Sequence, residues 1–137
     1  MIKYLILLSL IFICAHDIFP NAEGCLFKFF KANVTIVNDI PRGYPKPIIV
    51  HCSSKDDDLG THLLRTGQSW GFNFCEIPFS TLFSCGIDWG RRFHVSFKAY
   101  DAKWLFVPCE NNRHCTWTVD ATGVSSKRGE FHPWLTT

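Results

Sequence analysis

The sequence has little charge and lacks the spacings that mark metal sites. Charged residues make up 19% of the 137 residues, and the formal net charge is +2. A nucleic-acid-binding domain is usually strongly basic, so we expect no nucleic-acid partner. The basic pairs at 91–92 and 127–128 are expected to be solvated turn charges. No two cysteines are separated by two residues, which argues against a zinc site, and we predict no metal and no cofactor.

Beyond residue 15 the chain has no long apolar run. Lys3, the apolar stretch 4–15 and the small residues before Cys25 are typical of a secretory signal peptide. Twelve apolar residues are too few to cross about 30 Å of hydrocarbon, so we expect no stable membrane insertion. We predict a signal peptide at 1–24, with cleavage after Ala15 as the weaker alternative. Residues 25–137 then form one secreted, extracellular domain, expected to be a monomer.

The apolar residues of the mature chain alternate with a period of two rather than 3.6. This pattern predicts short strands at 32–38, 47–52, 61–64, 69–75, 81–89, 92–100 and 115–120, with a last one starting at 123. Seven or eight short strands separated by turn residues are typical of an all-β, antiparallel β-sandwich. The side chains expected between the two sheets are Trp70, Phe72, Phe74, Phe83, Trp89, Phe93, Phe97 and Trp117.

Six cysteines remain after removal of the signal peptide, and an even number in a secreted chain indicates disulfide bonds. They are Cys25, Cys52, Cys75, Cys85, Cys109 and Cys115. Fifteen pairings are possible in principle. Cys75 lies on the outward side of its strand, whereas Cys52, Cys85 and Cys115 lie on the inward side. This difference favours a Cys25–Cys75 bridge and leaves the other four to pair among themselves.

Few residues stand out as candidates for chemistry. Three adjacent carboxylates at 56–58 could attract Ca²⁺, but an EF-hand needs acidic residues at alternate positions. We expect instead a turn in which Asp side chains accept hydrogen bonds from backbone N–H groups. His51 and His94 fall on outward faces, no convergent carboxylate pair is apparent, and bridged cysteines leave no thiolate. We therefore predict a protein that is not an enzyme. Asn33 begins the one N-glycosylation sequon, and we expect it to be glycosylated.

Several segments together resemble the plant self-incompatibility S1 family, the S-protein homologues. They are HCSSKDDDLG at 51–60, GQSWGFNF at 67–74, TLFSC at 81–85 with Trp89, FKAYD at 97–101, and CTWTV at 115–119 followed by Gly123-Val124. The resemblance runs over residues 34–124. It implies a small secreted β-sandwich with two disulfides at Cys52, Cys85, Cys109 and Cys115. Cys25 and Cys75 depart from the usual family pattern and look like an added third bridge.

The resemblance also implies a function in cell–cell recognition. In field poppy, members of this family are stigma proteins that act as ligands of a pollen membrane receptor. We therefore expect a small protein ligand for a cell-surface receptor protein, and the alternative is a secreted defence or binding module. A hydrolase has the least support. Rigid loops suit recognition, and the residues expected to contact a partner are Arg42, Tyr44, Asp56, Asp57, Asp58, Trp104, Leu105 and Phe106. The apolar residues 104–106 either form such a contact or cover the end of the core.

Overall fold

The structure, a computed structural model, describes residue 25 and residues 30–104, 109–110 and 113–137. The predicted signal peptide at 1–24 lies outside these residues, as do the candidate contact residues Leu105 and Phe106. Within the described ranges, no helix is both long and apolar enough to cross a membrane.

Ten β-strands account for the regular structure of the described residues. They are β1 (Lys31–Asn38), β2 (Ile48–Ser53), β3 (Asp58–Leu64), β4 (Ser69–Cys75), β5 (Leu82–Trp89), β6 (Phe93–Asp101), β7 (His114–Val119), β8 (Gly123–Ser126), β9 (Phe131–Pro133) and β10 (Leu135–Thr136). The first eight correspond to the predicted strands. β9 and β10 were not predicted, because two or three residues are too few to show an alternation.

The strands form two five-stranded sheets that pack face to face. Sheet A has the order β4-β1-β7-β8-β9, and sheet B has the order β10-β6-β5-β2-β3. The predicted all-β sandwich is confirmed. The antiparallel prediction holds for every pair except β1 and β7, which are parallel. A period of two shows which face a side chain occupies, but it carries no information about the direction of the neighbouring strand.

Alternation along the strands builds the core as expected. In β1, Ala32, Val34 and Ile36 are buried between the sheets. Trp117 of β7 is fully buried, and its indole N–H donates to the Ala99 carbonyl of the opposite sheet at 3.1 Å. Of the eight predicted core aromatics, Phe74, Phe83, Phe97 and Trp117 are buried, and Trp70, Phe72, Trp89 and Phe93 are half-buried. The half-buried aromatics lie on edge strand β4 or at the end where β5 meets β6.

Three disulfides cross-link the described residues. Cys25 is bonded to Cys75, the pairing favoured from the sequence, and ties the chain preceding β1 to the end of edge strand β4. Cys52 and Cys85 face each other on neighbouring strands β2 and β5 and are bonded. Cys109 is bonded to Cys115.

Cys109 lies in the loop between β6 and β7. It is fully buried, because its bridge to the inward-facing Cys115 of β7 draws it into the core.

Candidate functional site

The loops between the strands gather at two opposite ends of the sandwich. In sheet B, Ile48 is aligned with both Leu64 and Trp89, so the loops before β2, after β3 and after β5 share one end. We call this the Tyr44 end, and it consists of residues 39–47, 65–68, 90–92 and 120–122. The remaining loops form the Phe79 end, which consists of residues 54–57, 76–81, the described part of 102–113, and 127–130.

This arrangement divides the contact residues that the sequence suggested. Arg42 and Tyr44 lie at the Tyr44 end. The other described candidates lie at the Phe79 end: Asp56, Asp57, Asp58 and Trp104. The candidates therefore do not form one continuous surface, because the eight-residue β1 separates the two ends by about 26 Å.

The Phe79 end carries an exposed apolar surface that the sequence analysis missed. Phe79 is 78% exposed, Ile77 is 65% exposed and Leu82 is 39% exposed. The strands predicted at 69–75 and 81–89 leave Ile77 and Phe79 in the connecting turn. The signal that could have found it is the run Ile77-Pro78-Phe79, because two large apolar residues are unusual in a loop exposed to water.

Local hydrogen bonds hold Phe79 outward. The Ile77 N–H donates to the Thr81 hydroxyl at 2.7 Å, and the Ser80 N–H donates to the Ile77 carbonyl at 3.0 Å. Phe79 has a φ of 61°, a left-handed conformation that is rare for a bulky residue. Such strain persists only where the surrounding structure over-determines it, and strain of this kind concentrates at functional sites.

The acidic run at residues 56–58 borders this apolar surface. Asp56 and Asp57 line the same shallow hollow as Ile77 and Leu82, with a volume of about 410 Å³. The Ser54 hydroxyl accepts a hydrogen bond from the Asp57 N–H at 3.1 Å, so the side-chain acceptor at this point of the turn is a serine and not the expected aspartate. Carboxylates and apolar side chains are therefore presented together.

Asp58 differs from its two neighbours, because it begins strand β3 instead of lying in the predicted turn. Its carboxylate accepts a hydrogen bond from the Gly60 N–H at 2.9 Å and lies 2.6 Å from the His51 ring nitrogen Nε2. The Gly60 N–H, followed by His51, holds the pKa of Asp58 below its ordinary value. Asp58 thus stabilises the β2–β3 hairpin.

A partly buried ion pair lies beneath the loops of the Phe79 end. The Arg113 guanidinium donates to the Glu76 carboxylate at 2.5 Å and lies over the Phe30 ring at 5.6 Å. Burial, together with the nearby charge of Glu76, raises the pKa of Tyr100 to about 12. Trp104 is half-buried and packs 6.1 Å from the Tyr100 ring, so it covers the end of the core.

Hydrogen bonds of the buried Asn38 amide hold the loops of the Tyr44 end together. Asn38 is fully buried, its Nδ2 donates to the Leu64 carbonyl at 3.0 Å, and its Oδ1 accepts from the Ile40 N–H at 3.0 Å. The Asn38 N–H also donates to the Gln68 carbonyl at 2.9 Å. The Asn38 side chain thereby joins the β1–β2 loop to the end of β3, and its backbone N–H adds a bond to the β3–β4 loop.

A cleft of about 690 Å³ opens at the Tyr44 end. Its residues are mainly aromatic or basic: Tyr44, Trp89 and Phe93, with Lys46, Arg91 and Arg92. The Trp89 ring is central, since its centroid lies 5.5 Å from that of Tyr44 and 5.4 Å from that of Phe93. The basic pair at 91–92 was expected to be solvated turn charge, and its position beside aromatic residues distant in sequence was not predictable from spacing.

Residues 67–71, GQSWG, fit the letter pattern of a hydrolase nucleophile elbow. The structural context that the motif needs is a sharp turn from a strand into a helix. Ser69 instead begins antiparallel strand β4 and pairs with Val37. Among the described residues, no histidine is hydrogen-bonded to Ser69. The pattern therefore does not identify a catalytic serine.

The sequon residue Asn33 lies in β1, and its backbone pairs with β4 and β7 on either side. Its side chain is half-exposed on the outer face of sheet A, opposite in parity to the buried Ala32 and Val34. Glycosylation of Asn33 stays a prediction.

Known plant proteins share this sequence pattern. The family model of the plant self-incompatibility protein S1 matches residues 33–135. S-protein homolog 5 of Arabidopsis thaliana is 32% identical over 120 residues, which cover 85% of this chain and 89% of that protein. S-protein homolog 2 of Arabidopsis thaliana is 35% identical over 113 residues, which cover 76% of this chain and 65% of that protein. The match thus covers a little under two thirds of this second relative.

A solved structure shares the fold at low sequence identity. It represents the SPH (self-incompatibility protein homologue) proteins, described as a widespread family of small, highly stable, secreted proteins from plants. The TM-score is 0.57 at 14% identity, and the superposition covers 77% of this chain and 94% of that one. From the family match over most of the sequence, the chain belongs to the plant self-incompatibility protein S1 family, the S-protein homologues.

Proposed function

We propose that this S-protein homologue is an extracellular protein ligand that binds a cell-surface receptor protein through its Phe79 end. The observation that carries the proposal is the exposed apolar surface formed by Ile77, Phe79 and Leu82. Soluble proteins rarely expose adjacent large apolar side chains unless the surface is used for contact. Phe79, the most exposed of them, has the aromatic character typical of residues that dominate binding energy.

Two disulfides make this surface rigid before binding. Cys75 ends β4 immediately before the Ile77 loop and is bonded to Cys25. Cys52 and Cys85 join β2 to β5, the strands that flank the loops containing Asp57 and Phe79. A preorganised surface loses little conformational entropy on binding, which favours affinity for a given contact area.

The acidic residues beside the apolar surface indicate what kind of partner would bind there. Asp56 and Asp57 are exposed at its rim, where charges mainly affect orientation and association rate. The partner surface is then apolar at its centre, with basic residues facing Asp56 and Asp57. The family resemblance suggests that the cell carrying the receptor is pollen.

Saturable binding to intact cells tests the proposal. Labelled protein is titrated onto pollen and vegetative protoplasts of the source plant, with excess unlabelled protein as competitor. We expect the double variant Ile77→Ser/Phe79→Ser to lose about tenfold or more in affinity, since central contact residues each contribute about 2 kcal/mol. Leu63→Ser is the matched control, because Leu63 is 55% exposed on β3.

Three outcomes would contradict the receptor proposal. Equal loss in the Leu63→Ser control would indicate non-specific apolar adsorption. Binding that survives protease treatment of the cells would show that the target is not a surface protein. Binding to isolated wall or microbial material alone would support the alternative of a defence or binding module.

A further inference from the structure

We propose that the cleft at the Tyr44 end binds an acidic oligosaccharide, a short chain of uronic acid residues. The cleft has a volume of about 690 Å³, within the range of about 300–1,000 Å³ typical of small-ligand sites. It lies at the opposite end of the sandwich from the proposed receptor surface. The two proposals therefore stand or fall separately.

The charge of the cleft selects an anion. Lys46, Arg91 and Arg92 line it, and no carboxylate belongs to its lining. In the part of the chain that the structure describes, none of these three cations forms an ion pair. Asp120, a turn carboxylate adjacent in sequence to the lining residue Ala121, accepts hydrogen bonds from the N–H groups of Thr122 and Gly123. Three unpaired cations at one cleft favour a ligand with more than one negative charge.

The aromatic lining selects a ligand with flat apolar faces between its charges. Tyr44 is 51% exposed, and its ring meets that of Trp89 edge to face at 5.5 Å. Trp89 and Phe93 are half-buried and stacked on each other at 5.4 Å, so each ring presents only part of its surface to the cleft. The exposed parts of aromatic rings attract the polarised C–H groups of a sugar ring, and a uronic acid adds a carboxylate to each ring.

The position of the cleft argues against an acidic peptide that binds as an added strand. In that mode an extended peptide pairs with the free edge of a sheet, where rows of backbone groups are available. This cleft is formed by the β1–β2 and β5–β6 loops at the end of the sandwich. β5, which provides Trp89, is hydrogen-bonded on both sides, by β2 and β6. Side chains rather than backbone groups are thus available to the ligand.

Isothermal titration with defined oligomers tests this proposal. The probes are hexagalacturonate, its methyl ester, which keeps the rings but loses the charge, and hexaglutamate, which keeps the charge but has no sugar ring. Calcium is left out of the buffer, because carboxylates bind it. We expect the hexagalacturonate to bind, and the ester and the hexaglutamate to bind at least about tenfold more weakly.

Matched variants locate the binding. Arg91→Gln/Arg92→Gln is expected to weaken hexagalacturonate binding about tenfold or more, whereas Lys127→Gln/Arg128→Gln, with the same charge change at the other end, leaves it unchanged. Tyr44→Ala is expected to weaken it about fivefold or more, and the control is Phe131→Ala, at a similarly exposed aromatic residue.

The proposal is overturned if the hexagalacturonate fails to bind, if the hexaglutamate binds as tightly, or if both basic pairs contribute equally. Thermal unfolding of each variant checks that lost binding does not reflect lost folding.

Discussion

The two ends of this sandwich present opposite chemistry on the same pair of sheets. The Phe79 end exposes apolar side chains rimmed by Asp56 and Asp57, whereas the Tyr44 end places cations around an aromatic cleft. A different polar interaction stabilises each end, the Arg113–Glu76 ion pair at the Phe79 end and the hydrogen bonds of the Asn38 amide at the Tyr44 end. The comparison shows that one pair of sheets can carry two chemically different surfaces about 26 Å apart, each shaped by its own loops.

The largest effect is expected from a substitution in the core that both ends share. Trp117→Ala deletes a fully buried indole between the sheets, so we expect a loss of about 3–5 kcal/mol in the free energy of unfolding. Chemical denaturation measures the loss, and hydrogen exchange is expected to rise at both ends together. Trp117→Phe, which keeps most of the ring, serves as the milder control. A loss below about 1 kcal/mol would contradict the shared core.

A smaller effect is expected from an alteration confined to the Tyr44 end. Asn38→Leu removes both side-chain hydrogen bonds and leaves the buried Leu64 carbonyl without this donor, at a cost of about 1–3 kcal/mol. Exchange of the Ile40 and Gly67 amide protons should accelerate, while that of Ala102 at the Phe79 end should not. Asn73→Leu, on the outer face of β4, is the exposed control. Equal acceleration of amide exchange at both ends would show that the Asn38 hydrogen bonds do not act locally.

The corresponding test at the Phe79 end concerns the pKa of Tyr100. The pKa is raised from 10.0 to about 12, so the unfolded chain releases the proton first, and stability is expected to fall as pH rises from about 10 towards 12. In Glu76→Gln the pKa should move down but stay above its ordinary value, because burial is the largest cause. The pKa of Tyr100 is measured by phenolate absorbance in a Tyr44→Phe background. An unchanged pKa would show that Glu76 does not act on Tyr100.

The smallest effect is expected in the β2–β3 hairpin, beside the proposed receptor surface. Asp58→Asn should lower stability slightly at neutral pH, because the folded-state pKa of Asp58 is depressed by the Gly60 N–H and His51. The stabilisation is present above the ordinary value of 3.8 and disappears as pH falls through the folded pKa, so wild type and variant should converge in acid. Denaturation at neutral and acidic pH checks this, and a difference that persists in acid would contradict it.

Much of the fold could be predicted because burial imposes a period of two. Trp70, Phe72 and Phe74 point inward from β4, and Cys75 points outward, as the alternation indicated. That parity also favoured the Cys25–Cys75 bridge. The parallel pairing of β1 with β7 and the burial of Cys109 could not be predicted, because both depend on which distant strands become neighbours.

The candidate site was predictable only in part. Asp56 and Asp57 were found because a run of carboxylates is visible in any sequence, and Tyr44 because it stands in a proline-rich loop. Phe79 was missed, since an apolar residue in a turn shows its exposure only when the surrounding loops are placed. The cleft was missed because Lys46 and Arg91 are far apart in the chain.

The sequence by itself determined the two apolar faces, the six cysteines and the family, because these depend on residue identity and local parity. The tertiary structure alone decided that Arg42 and Tyr44 lie at one end and Asp56, Asp57 and Trp104 at the other. The physical reason is that strand pairing across long separations sets which loops become neighbours. Side-chain alternation does not encode that pairing.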